Sequence, residues 1–121
     1  LPMEVQAFRL DADTAIVGLP GEIFADLGLS IKRASPFKRT IVMSICNDRP
    51  GYVPTRKAFT EGSYEVTNSR IKPSGGELLV EAAGQWFVAE HFSQETIHSG
   101  CGIPTRATNS LLADPGHGQG I

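Results

Sequence analysis

The chain has 121 residues, 40% hydrophobic and 20% charged, with a formal net charge of −2. That balance fits one globular domain or a piece of one, and it offers no electrostatic footprint for nucleic acid or an anionic membrane. No apolar run approaches the ~20 residues a membrane-spanning helix needs, and the first residues do not read as a basic-then-apolar leader.

In chain order, rough alternation predicts a strand over about 3–10, followed by a turn at Asp11-Ala12-Asp13. A short apolar run predicts a buried strand over about 14–19, which Pro20 and Gly21 break. A helix is expected over about 21–33. Its Phe24, Leu27 and Ile31 share a face flanked by Ile23, its Lys32 and Arg33 suit the negative end of the dipole, and Pro36 stops it. β-Branched residues predict a strand over about 39–46, with Cys46 as a buried small residue. Thr55 would cap a short helix through Phe59 that Gly62 ends, and Tyr64 to Thr67 reads as a short strand. Ser74 and Glu77 fit a capping box opening a helix over about 75–90, with Leu79, Val80, Ala83, Trp86 and Phe87 on its apolar face. These elements predict an α/β or α+β layer. From Ser93 the character changes, to five glycines, no lysine and no sustained period. Residues 91–121 are therefore expected to be irregular, a disordered or non-native tail after an ordered unit at 1–90. A Cys46–Cys101 disulfide stays open, so cysteine usage does not fix the compartment.

Two segments carry the chemistry. Glu22 follows the strand-like run Ala15 to Leu19, and Tyr52 follows the run Thr40 to Cys46, each at a turn. Side chains at the ends of adjacent strands can converge, and such loops are where α/β proteins hold their chemistry. Taken alone, Glu22 would complement a helix dipole, Tyr52 would be a half-buried aromatic, and Tyr64 would be a strand aromatic facing the core. Asn47 and Arg49 stand in the turn before Tyr52, while Glu61 and Glu65 read as solvated. His98 and Cys101 have a ligand-like spacing, but with His91 and His117 they make no paired set. Gly116 to Gly120 lacks the Lys and Ser/Thr of a phosphate loop, and no GxSxG nucleophile elbow is present.

Pro20-Gly21-Glu22 before a hydrophobic helix, Ser35-Pro36-Phe37, the Asn47 turn, Gly51-Tyr52-Val53-Pro54-Thr55 and Gly62-Ser63-Tyr64-Glu65-Val66 occur in order over roughly residues 3–85. In these motifs the chain resembles the last part of the zinc-dependent catalytic domain of the neutral/alkaline, non-lysosomal ceramidases. The resemblance implies that Glu22 and Tyr52 are zinc ligands and that Tyr64 hydrogen-bonds the oxyanion of a tetrahedral intermediate. It implies hydrolysis of the N-acyl bond of ceramide or a related lipid amide, giving a fatty acid and a sphingoid base. The family's other two zinc ligands are histidines from earlier in the domain, and no histidine precedes Glu22 here. The chain is therefore expected to be a fragment, inactive alone, whose partner is the remainder of the catalytic domain supplying two His ligands. The resemblance also suggests a secreted, periplasmic or membrane-surface setting. Nothing here resembles the start of the immunoglobulin-like domain many members carry, so the amide-hydrolase class is better supported than ceramide as substrate. The other readings are a non-catalytic homologue and a structural or binding α/β module without metal.

Overall fold

The computed structural model describes residues 2–96 and 107–111, with side chains as far as Glu90. Its elements are β1 (Met3–Arg9), β2 (Thr14–Gly18), β3 (Glu22–Ile23), α1 (Ala25–Ala34), β4 (Arg39–Met43), β5 (Tyr52–Val53), α2 (Arg56–Glu61), α3 (Tyr64–Thr67), α4 (Gly75–Thr96) and β6 (Ala107–Leu111). Helices and strands are mixed, as the sequence predicts.

Asp11 closes the β1–β2 hairpin by accepting the Asp13 N–H at 2.8 Å. β1 and β2 pair antiparallel, with Ala7 opposite Val17, and β2 then leads through α1 to β4, its parallel neighbour. The sheet order is β4-β2-β1-β6. Alternation sends Met3, Val5, Ala7, Ala15 and Val17 to one face, where all are buried. Leu27 and Ile31 of α1 and Leu79, Ala83, Trp86 and Phe87 of α4 close over that face. The Trp86 ring lies 6.0 Å from Phe37 and 5.5 Å from Phe87. The opposite face bears Ile41 and Met43, both about half exposed (47% each).

Several boundaries differ from expectation. The helix expected at 21–33 begins only at Ala25, because Glu22 N–H bonds Gly51 O at 2.9 Å and Phe24 N–H bonds Val53 O at 3.2 Å. Pairing across the chain draws Glu22 and Ile23 into a bridge before the helix can start, so Glu22 is not a first-turn residue; Asp26 is. The strand expected at 39–46 stops at Met43. There the chain turns so that Ile45 N–H reaches Gly21 O and Cys46 N–H reaches Leu19 O, and Ile45 takes φ +57°. Cys46 is half-buried in that turn. Tyr64 to Thr67 is a helical turn and not a strand, since Ser63 Oγ accepts the Val66 N–H as an N-cap. The capping box at Ser74 and Glu77 does not form. Glu77 instead accepts the Arg56 N–H at the start of α2, and Ser74 Oγ accepts from Arg56 Nε. Thr55 does cap α2, and Gly62 ends it. Within the stretch expected to be irregular, α4 continues to Thr96 and β6 pairs with β1, Met3 opposite Leu111. The rest of that stretch, Cys101 included, lies outside the described residues.

Candidate functional site

Two chain exits build the site. β2 and β4 are parallel neighbours, so both chains leave the sheet at the same end. The β2 exit runs through Pro20 and Gly21 into β3, and the β4 exit runs through Asn47 to Gly51 into β5. These exits pair again as a two-stranded parallel ribbon with Glu22 opposite Tyr52 and Ile23 opposite Val53. Partners across a bridge project from the same face, with strands about 4.8 Å apart. Val53 is fully buried and fixes the inner face, which leaves the Glu22 and Tyr52 side chains together on the other.

Gly21 and Gly51 make this approach possible. Both hold positive φ, +79° and +97°. A Cβ on Gly21 would stand 2.7 Å from Gly51 O and 2.8 Å from Val53 Cγ2, inside contact distance. Asn47, at φ +68°, does not point into the site; its Nδ2 donates to Glu4 Oε2 at 2.8 Å and ties the β4–β5 loop to β1.

Tyr64 joins from α3. Its ring meets Tyr52 edge-on, centroids 6.1 Å apart, and it is 70% exposed. It is therefore not a core aromatic, and all three residues picked out from the sequence converge. Arg49 completes the cluster, with Nη2 3.6 Å from Glu22 Oε1. Glu65, expected to be solvated, has a carboxyl that accepts from its own N–H and from the Ser63 hydroxyl, which hold it below the ordinary range.

Electrostatics give the cluster its character. The Glu22 carboxylate holds the Tyr52 phenol above its ordinary pKa, with desolvation, Tyr64 and Glu65 adding to the rise and Arg49 opposing it. The balance of these groups favours the neutral phenol; a divalent ion between the two oxygens would reverse that preference. Among the described residues, no three His, Cys, Asp or Glu side chains gather closely enough to hold a metal. Were a divalent ion held here, the Glu22 carboxylate and an ionised Tyr52 phenol would offer it two oxygen donors. His91 is described only as backbone of α4, and His98, Cys101 and His117 lie outside the described residues.

One contact escaped sequence reasoning. Ser69 Oγ donates to the Tyr52 carbonyl at 2.8 Å and accepts the Ile71 N–H at 3.1 Å. Nothing in Asn68-Ser69-Arg70 distinguishes that serine from an ordinary turn residue.

No family model matches this chain, and neither the curated proteins nor the solved structures contain a match to it.

Proposed function

We propose that this chain is part of a zinc-dependent amidohydrolase resembling the neutral ceramidases, cleaving the N-acyl bond of ceramide or a related lipid amide. The observation that carries the reading is the bridge register: Glu22 and Tyr52 stand opposite one another at the C-terminal exits of two parallel strands. Thirty residues separate them in the sequence, and each had been singled out for the same ion. In this reading Glu22 and Tyr52 hold the zinc, with two histidines from the remainder of the domain completing the shell. When bound, zinc lowers the pKa of water and polarises an amide carbonyl. Tyr64, solvent-facing and edge-on to Tyr52, donates a hydrogen bond to the oxygen that gains charge in the transition state. One such donor contributes typically ~2.7–4 kcal/mol. The isolated chain, lacking two donors, is inactive in this account.

A structural role is the competing reading, and the 3.6 Å Arg49–Glu22 ion pair favours it, because Glu22 then already has a counter-ion. Glu22→Gln in the complete catalytic domain separates the two. Under the zinc reading, metal content and amidase activity are both lost; under the structural reading, metal content is unchanged.

A further inference from the structure

We propose that Ser69 is a positioning residue that fixes Tyr52 against Tyr64 and thereby sets where the metal-facing phenol sits. The role rests on the zinc reading only for its purpose; the geometry stands by itself. Successive carbonyls of a strand point to opposite edges. In β5 the Gly51 and Val53 carbonyls face β3 and accept from Glu22 and Phe24. The Tyr52 carbonyl must therefore face the outer edge, where β5 has no neighbouring strand among the described residues. Ser69 Oγ meets it there at 2.8 Å, acting as a single-residue substitute for a third strand.

Local bonding directs the hydroxyl. It has one proton to donate, and the Ile71 N–H occupies one of its lone pairs at 3.1 Å, which leaves the proton for Tyr52 O. Ser69 is in turn bound to the helix that carries Tyr64. Its N–H bonds Val66 O, while the Asn68 N–H and Nδ2 both bond Tyr64 O, at 3.0 and 2.8 Å. The two tyrosines are thus joined twice, through their rings and through this short backbone path. Removing the hydroxyl frees one edge of the Tyr52 peptide and detaches it from α3.

The chain has only two tyrosines, so tyrosine ring proton resonances and phenolate absorbance report on this pair alone. In Ser69→Ala, the Tyr52–Tyr64 ring cross-peaks are expected to disappear. Zinc affinity at Tyr52, read from phenolate absorbance, should fall roughly 10- to 100-fold, as for other residues that orient a ligand. Ser69→Thr, which keeps the hydroxyl, should restore both. If Ser69→Ala does not fold, Ser69→Cys, of similar shape but a weak donor, is expected to give the same changes. Retention of the cross-peaks in the folded Ala or Cys variant overturns the proposal. If Tyr52→Phe leaves the zinc response intact, the metal reading fails, while the ring cross-peaks of the Ser69 variants still decide the role of Ser69.

Discussion

Gly21→Ala tests the feature that brings the two oxygen donors together. The methyl group would meet two separate costs. The first is conformational: an L-residue at φ +79° is disfavoured by ~1–2 kcal/mol. The second is collision, since the new Cβ lies 2.7 Å from the Gly51 carbonyl and 2.8 Å from Val53 Cγ2. A carbonyl oxygen in a paired ribbon cannot rotate away as a side-chain tip can, and overpacking of this kind costs ~1–3 kcal/mol. The sum is about 2–5 kcal/mol. Gly51→Ala supplies the control within the same ribbon: its φ is +97°, but the nearest atom to its Cβ is Asn68 O at 3.9 Å, so it bears the conformational cost alone. Urea unfolding of both variants, followed by tryptophan fluorescence from the single Trp86, should place Gly21→Ala at least ~1 kcal/mol below Gly51→Ala. The Tyr52 titration should also change in Gly21→Ala, because the collision forces β3 and β5 apart. Equal stabilities, with an unaltered titration, would refute the claim that close packing of the two exits builds the site.

Three further outcomes follow from the same geometry. Glu22→Gln should lower the Tyr52 pKa, because the carboxylate is the largest cause of its rise; absorbance at 295 nm in a Tyr64→Phe background isolates the one phenol. Since the folded pKa lies above the unfolded one, this phenol's contribution to stability is present below the ordinary phenol value and is lost as pH rises through the raised value. The alkaline decline in stability should accordingly shrink in Glu22→Gln, as unfolding against pH would measure. Arg49→Gln should tighten zinc binding several-fold, because it removes the cation that competes for Glu22 at 3.6 Å, with little change in the unfolding midpoint since that side chain is 74% exposed. Trp86→Ala, which empties a site buried between Phe37 and Phe87, should cost ~3–5 kcal/mol by thermal unfolding followed by far-UV circular dichroism, without displacing the Tyr52 titration.

Much of the scaffold was legible in the chain because its signals are local. Alternation from Met3 to Arg9, the apolar run at Thr14–Gly18 and the spacing of Leu27 and Ile31 or of Leu79, Ala83, Trp86 and Phe87 each identify an element and its buried face. What could not be read locally were the places where distant segments pair. Glu22 reads as a helix residue because Pro-Gly followed by a hydrophobic run resembles a helix start; its N–H is taken by the carbonyl of the distant Gly51. Glu77 satisfies the spacing of a capping box, yet its carboxylate serves the first amide of α2. Ser69 carried no pattern at all, since its partner is a carbonyl seventeen residues earlier. Glu22, Tyr52 and Tyr64 stand out as candidates through motif order; the parallel exits of β2 and β4 explain why residues so placed form a cluster.

A zinc titration read at the tyrosinate band is the most direct measurement. With imidazole added to supply the two nitrogen donors that the zinc proposal requires, and at a pH where metal-free Tyr52 is neutral, zinc should produce a phenolate difference spectrum. That signal should survive in Tyr64→Phe and vanish in Tyr52→Phe and Glu22→Gln. A spectrum that never appears, or one that persists without Tyr52 or Glu22, would contradict a shared ion between these two side chains.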